Sequence, residues 1–276
     1  MPSYLITGVS RGLGTCSHCK QFAFLEHISS DASNTVIGLV RNIADTNAKV
    51  APLNRNNIHI IEGDMKDYES LKKTVESVSA ITSGTLDYII ANAGLVPTWS
   101  QFDPFSVLGE DPKRLTTELN ELFSINVVGN IHLFNLFVPL VLKGNGKKII
   151  TITSGLADLD LAVKYQLYEN APYSISKAAM NMAVAKFQAE YEKDGVLFLG
   201  ISPGSVNVGQ FDNLTQEEAQ KLMVQGAKFQ AYAPHFQGPI TTEQSVKAVL
   251  SVAENASLEM DDGGAFISHL GNKQWL

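Results

Sequence analysis

The stretch Thr7 to Gly14, TGVSRGLG, follows directly on the apolar run Tyr4-Leu5-Ile6 and places three glycines within eight positions. So few side chains leave the backbone open to close approach. A short apolar strand, a glycine-rich turn and a helix in that order let a pyrophosphate meet the unpaired N–H groups at the helix start, where the helix dipole favours an anion. The question is whether the rest of the chain builds a sheet around that turn.

Working outward, strand-length apolar runs alternate with longer stretches of helical spacing. The strand candidates are SYLITG, NTVIGLVR, NIHIIEGD, LDYIIANAG, KKIITITSG, VLFLGISPG and GAFISHLG, and the helical stretches include ESLKKTVESVSAI and YSISKAAMNMAVAKFQAEYEK. Near-continuous Val, Ile and Leu runs separated by helices imply parallel strands covered on both faces. The expectation is an α/β fold: one Rossmann-type, doubly wound parallel sheet of about seven strands flanked by helices, with residues 1–276 forming a single domain.

Composition agrees. The 276 residues are 45% hydrophobic and 18% charged, enough for a large core, and the net charge of −7 offers no electrostatic attraction to nucleic acid or to an anionic membrane. The longest apolar stretch, Leu133 to Leu142, contains Asn135 and Pro139 and falls far short of the roughly 20 residues of a bilayer crossing. A secretory leader is not evident, so a cytoplasmic location is expected. The two cysteines, Cys16 and Cys19, have only His18 nearby as a third ligand, so they are read as packing residues and no metal is expected.

Several further motifs follow in order: EGDM with Asp64 and Met65, ANAG with Asn92, Ala93 and Gly94, SINVVG with Asn126, ITITSG with Ser154, YSISK with Tyr173 and Lys177, and SPG with Pro203 and Gly204. Tyr173 and Lys177, four apart on a helix, share a face. An ammonium beside a phenol stabilises the phenolate and would lower its pKa from near 10, fitting the tyrosine for proton exchange with a carbonyl oxygen. An isolated Tyr-x-x-x-Lys would more often be a surface tyrosine with a solvated lysine; the glycine loop and Ser154 upstream argue otherwise. Thr153 is an adjacent rival to Ser154.

Together these motifs, and the Gly-x-x-x-Gly-x-Gly spacing of the loop, resemble the short-chain dehydrogenase/reductase family over nearly the whole chain. The resemblance implies an NADPH-dependent oxidoreductase that reduces a ketone or aldehyde. Tyr173 would be the acid, Lys177 would tune it and hold the nicotinamide ribose, Ser154 would position the substrate oxygen, and Asn126 would complete a proton relay through water. It assigns cofactor contacts to Thr7, Gly8, Ser10, Arg11, Gly12, Leu13, Gly14, Arg41, Asn42, Asp64, Met65, Asn92, Ala93, Gly94, Tyr173, Lys177, Pro203, Gly204 and Val206. Val40 stands where NAD-specific members carry an acidic residue, and Arg41 with Arg11 can clamp a 2′-phosphate, so NADPH/NADP+ is expected.

Two departures from the family pattern stand out. Eighteen residues separate Ser154 from Tyr173, about six more than usual, and Val208 replaces the threonine that commonly binds the nicotinamide carboxamide, with Asn207 beside it. The substrate is expected to be a hydrophobic or aromatic carbonyl compound held by Val96, Trp99, Gly155, Tyr168 and Phe211 under a lid at 205–238. His132 and His235 are read as structural. The closing GGAFISHLGNKQWL is similar to fungal ketoreductases of secondary metabolism. Two alternatives remain: an NADP(H)-binding isomerase or cyclase, and an NADP(H)-sensing regulator without turnover. The resemblance also implies a homodimer or homotetramer through the helices at 115–142 and 172–193.

Overall fold

Each of the seven apolar runs forms a strand: β1 (Ser3–Thr7), β2 (Thr35–Val40), β3 (Ile58–Glu62), β4 (Tyr88–Ala91), β5 (Lys148–Ile152), β6 (Leu197–Ser202) and β7 (Phe266–Ser268). In this computed structural model, which describes residues 1–9, 22–209 and 211–276, they make one sheet in the order β3-β2-β1-β4-β5-β6-β7. Every pairing is parallel. The connections are helical: α1 (Ala23–Ile28), α2 (Ile43–Val50), α3 (Tyr68–Ile81), α4 (Phe105–Leu108), α5 (Pro112–Phe123), α6 (Gly129–Val141), α7 (Leu159–Lys164), α8 (Ala171–Tyr191), α9 (Gln216–Tyr232) and α10 (Thr242–Asn255).

Burial alternates along the strands and so divides the core in two. In β5, Ile149 packs with Phe134, Phe187 and Phe198 on the face covered by α3, α6 and α8, whereas Ile150 and Ile152 join Leu25, Val246 and Val249 under α1 and α10. A strand buried on both sides needs apolar residues at both parities, hence the unbroken Val/Ile/Leu runs. Asp87 fastens the amino ends of β1 and β4, accepting from the Ser3 amide at 2.8 Å and from the Asn145 amide at 2.7 Å.

Helix starts follow local capping chemistry. Asp67, Asp111 and Asp158 accept from first-turn amides of α3, α5 and α7, and Thr215 with Glu218 and Thr241 with Gln244 form capping boxes on α9 and α10. The region expected to be a lid is thereby resolved into a segment paired at Val206 with Ile240, followed by the well-capped α9.

One finding differs from the reading of the apolar stretch 133–142. The helical run Pro112–Val141, 30 residues with an 18-residue window of mean hydropathy 1.5, is long and apolar enough to cross a bilayer by those criteria alone. Its apolarity has another use here: Leu122, Val127, Leu133, Phe134, Phe137, Val138 and Val141 are buried in the protein interior. Cys16, His18 and Cys19 lie outside the described residues.

Candidate active site

The sheet order reverses between β1 and β4, and the carboxyl ends of the strands there open a crevice. The loops after these two strands are stitched together. Thr7 Oγ1 accepts from the Ala93 amide at 2.9 Å, and Asn92 Nδ2 donates to the Thr7 carbonyl at 3.1 Å. Gly8 has φ +74°, and a Cβ there would sit 2.7 Å from Ala93 Cα. Glycine is therefore required at position 8 by the neighbouring loop as well as by its left-handed backbone.

Asn126 lies in a π-helical turn, Ser124–Val128, between α5 and α6. Its Oδ1 accepts from the Leu95 amide at 2.7 Å, while Nδ2 donates to the Leu95 carbonyl and to Ser176 Oγ, each at 3.0 Å. Both amide hydrogens are thus engaged, and the residue is fully buried. It locks the loop after β4 to α8 at the turn that carries Tyr173 and Lys177.

Ser154 lies two residues beyond β5 and caps the short turn Gly155–Ala157. Its side chain hydrogen-bonds the Tyr173 phenol. The rival Thr153 has its hydroxyl committed to Asn181 Oδ1 at 2.6 Å, so geometry selects Ser154 as the serine or threonine facing the tyrosine. Lys177 Nζ donates to the Ile152 carbonyl at 2.8 Å and lies 5.7 Å from the Tyr173 ring centroid.

The expected direction of tuning is reversed in the chain alone. Burial pushes the Tyr173 phenol up from 10.0 to about 12, and its hydrogen bond to Ser154 only partly offsets this. Burial also brings Lys177 down from 10.5 to about 8. Desolvation penalises the charged form of both groups, and at this separation it outweighs the attraction that sequence spacing alone anticipates.

A cavity opens over this pair. Of the expected substrate residues, Val96, Gly155 and Phe211 line it, together with Ser154, Tyr173 and Lys177. Trp99 and Tyr168 do not. The Arg114 guanidinium covers the Trp99 ring at 4.6 Å, and Lys228 Nζ covers Tyr168 at 3.5 Å, so cations occupy the faces that sequence reasoning reserved for substrate.

Gln225 and Phe229 come from the expected lid at 205–238, and further walls from residues the sequence did not single out: Gln101, Asn170, Trp275 and Leu276. Trp275 is 3% exposed, stacks on Phe266 with centroids 4.3 Å apart, and donates its amide to Tyr232 Oη at 3.0 Å. Gly155 lies against it; a Cβ there would approach Trp275 Cβ to 2.6 Å. The one available signal was a lone large aromatic in an otherwise polar tail, GNKQWL.

The remaining expected cofactor residues are dispersed along the same edge of the sheet. Arg41 and Asn42 follow β2 and are exposed; Asn42 also caps α2, accepting from the Asp45 amide at 3.1 Å. Asp64 Oδ1 accepts from the Lys66 amide at 2.9 Å beside the buried Met65. The Pro203 carbonyl accepts from Ser245 Oγ at 2.7 Å, Gly204 turns at φ +83° against His269, and Val206 lines the cavity. Asn207 Oδ1 accepts from the Gly209 amide at 3.1 Å, while Val208 faces the cavity. Ser10, Arg11, Gly12, Leu13 and Gly14 lie outside the described residues. His132 packs edge-on against Tyr68 and His235 reaches the Leu276 carbonyl, both away from the Ser154–Tyr173 pair.

The donor set fits a nicotinamide dinucleotide. Lys177 is a buried ammonium with three hydrogens and one acceptor, the Ile152 carbonyl, among the described residues. Beside it, Gly94 offers no side chain: a Cβ there would lie 3.4 Å from Lys177 Nζ and 3.3 Å from Asn126 Oδ1. An unfilled space flanked by spare donors suits ribose hydroxyls.

Comparison with known proteins agrees with this geometry. A family model described as short chain dehydrogenase matches residues 3–220. A short chain dehydrogenase of Hypocrea virens is 49% identical and a short-chain dehydrogenase/reductase of Pestalotiopsis fici 44% identical, each alignment covering 100% of both chains. Among solved structures, the carbonyl reductase Sniffer of D. melanogaster superposes with a TM-score of 0.75 at 19% identity, covering 99% of this chain and 98% of its own. An NADPH-bound carbonyl reductase from chicken fatty liver gives 0.72 at 22% identity, covering 98% and 97%.

Proposed function

This chain belongs to the short-chain dehydrogenase/reductase family, and on that premise we propose that it is an NADPH-dependent reductase of a ketone or aldehyde on a hydrophobic or aromatic small molecule. The observation that carries the reading is the hydrogen-bonded Ser154–Tyr173 pair facing a cavity walled by Val96, Phe211, Phe229 and Trp275.

NADPH, when bound, supplies the hydride. Lys177 holds the ribose with its unused ammonium hydrogens, and Gly94 leaves the room. Ser154 and the Tyr173 phenol converge on the substrate oxygen, and Tyr173 donates its proton to that oxygen as the alcohol forms. A phenol at about 12 is fully protonated at neutral pH, as a donor must be. The Lys177 charge makes loss of that proton easier, and Asn126 fixes the turn on which both groups stand. Val96, Phe211, Phe229 and Trp275 exclude water around the reacting carbon.

Preference for NADPH over NADH rests on Arg41 directly after β2, on the absence of an acidic side chain at Val40, and on Arg11 in the glycine loop. A biosynthetic role in secondary metabolism is part of the same proposal, supported by the fungal source of the relatives. So is association through the helices at 115–142 and 172–193, where α5 displays exposed Phe123 and α8 exposed Ile175 and Met182.

The test is oxidation of NADPH with a panel of ketones, followed by product mass. A gain of two hydrogens supports reduction, an unchanged mass replaces it with isomerisation, and no turnover leaves a sensor. Tyr173→Phe should retain NADPH binding and lose about 100-fold to 10,000-fold in kcat; near-normal turnover in that variant refutes the role given to the phenol.

A further inference from the structure

Four carboxamides line the cavity; Asn92 is bonded to the Thr7 carbonyl, and the other three are Gln101, Asn170 and Gln225. Gln225 is 4% and Asn170 7% exposed, yet neither side chain has a hydrogen-bond partner among the described residues. Neither carboxamide belongs to the fully enclosed polar atoms that lack a partner, so what little exposure these side chains keep is toward the cavity they line. Here the amides border an open cavity, so a bound molecule can supply the missing bonds.

The three belong to one corner of that cavity. The Asn170 amide donates to the Gln101 carbonyl at 3.1 Å, joining the loop after β4 to the start of α8. Lys228 Nζ binds Glu169 Oε1 at 2.6 Å and the Gln166 carbonyl at 2.8 Å, drawing α9 against the same segment. Gln225 lies one helical turn before Lys228, on the same face of α9. Asn170 in turn precedes Tyr173 by one turn, with the Ser174 amide bonded to its carbonyl at 2.9 Å. Asn170 thus caps the first turn of α8, the turn that carries Tyr173, and both residues line the same cavity.

We propose that Gln101, Asn170 and Gln225 form a second polar subsite that binds a hydroxyl or carbonyl oxygen of the substrate remote from the carbonyl being reduced. The substrate class is thereby narrowed to cyclic or aromatic ketones bearing at least one further neutral oxygen function. This rests on the reading of the site as a carbonyl reductase. Carboxamides offer both a donor and an acceptor, which suits a hydroxyl. Lys228 beside them is already paired with Glu169, so among the described residues the corner offers no uncommitted cation to hold a carboxylate.

The experiment compares 1-tetralone with its 5-, 6- and 7-hydroxy derivatives in two assays. In the first, kcat/KM with NADPH is measured; the best hydroxylated isomer should exceed the parent by about fivefold to tenfold, the size of one or two neutral hydrogen bonds. In Gln225→Met, nearly isosteric and apolar, that ratio should fall to about one. Gln101→Met serves as a second variant should the first fail to fold by its thermal transition. In the second assay, binding of the same ketones to the NADP+-loaded protein is followed by calorimetry, where no reduction occurs. Reduction without preference for the hydroxylated ketones, or a preference unaffected in both variants, overturns the subsite and leaves the reductase standing. Preferential binding that the variants abolish, without turnover, supports the subsite and removes the reductase.

Discussion

The pH dependence of cofactor capture tests the electrostatics of this site most directly. Lys177 is 5% exposed, its ammonium bonds only the Ile152 carbonyl among the described residues, and burial lowers it from 10.5 to about 8. The sign follows: the depressed group loses its proton as pH rises through about 8, and with it the donors meant for the ribose. On this pKa the free protein is about nine-tenths protonated at pH 7 and about one-tenth at pH 9. Since kcat/KM reports ionisations of the free enzyme, kcat/KM for NADPH should fall about tenfold between those values. Among the described residues, the other two shifted groups at this end of the sheet do not titrate over the range. Tyr173 stays protonated to about 12, and burial pushes His269, beside Gly204, below its ordinary 6.5. The assay is initial-rate NADPH oxidation at saturating ketone from pH 6.5 to 9.5, with calorimetric NADPH binding by Lys177→Met, which should be weak and flat over the same range, as the control. A flat profile in the unmodified protein would mean that the ammonium does not engage the cofactor from its buried, under-bonded position.

Other expectations follow from the same geometry. Arg41→Asp should shift the NADPH/NADH ratio of catalytic efficiencies at least about tenfold toward NADH, since it exchanges a phosphate partner for a repelling carboxylate; an unchanged ratio counts against the clamp. In Gly155→Ala the new Cβ would lie 2.6 Å from Trp275 Cβ. Ordinary carbon contacts are about 3.5–4.0 Å, so the tryptophan must retreat by about 1 Å. The ranking of small against bulky ketones should then change, and an identical ranking would dismiss Trp275 as a wall. Lys177→Met should raise the thermal midpoint of the cofactor-free protein by at least about 2 °C while turnover collapses, because it replaces a poorly bonded buried charge by a matching apolar chain. A lowered midpoint in calorimetry would show that the Ile152 bond repays the burial.

How far the sequence reveals this molecule depends on the range of the interactions involved. All seven strands were legible because a parallel strand covered on both faces must be apolar at consecutive positions, as in Ile149-Ile150 and Leu197-Phe198-Leu199. The Tyr173–Lys177 pair was legible because helical spacing alone places them together. Their ionisation was not, since desolvation is set by what α8 packs against; spacing predicts attraction, and burial reverses the outcome for Tyr173. Trp99 and Tyr168 sit close in sequence to the site, yet each turned its ring to a cation from another helix, a partner no local pattern announces.

The substrate walls carry this reasoning to its limit. Val96, Gly155, Gln225 and Trp275 come from four segments separated by some 50 to 70 residues each, brought together at the carboxyl edge of the sheet. Chemistry common to many substrates can be encoded in short spacings such as Tyr-x-x-x-Lys. Discrimination among substrates depends instead on loops that meet only after the strands have paired. Gly155 is the hinge between the two levels: its neighbour Ser154 bonds the phenol, while its own missing side chain lets Trp275 close the cavity. A change at that single position should therefore alter which ketone is accepted before it alters whether a ketone is reduced.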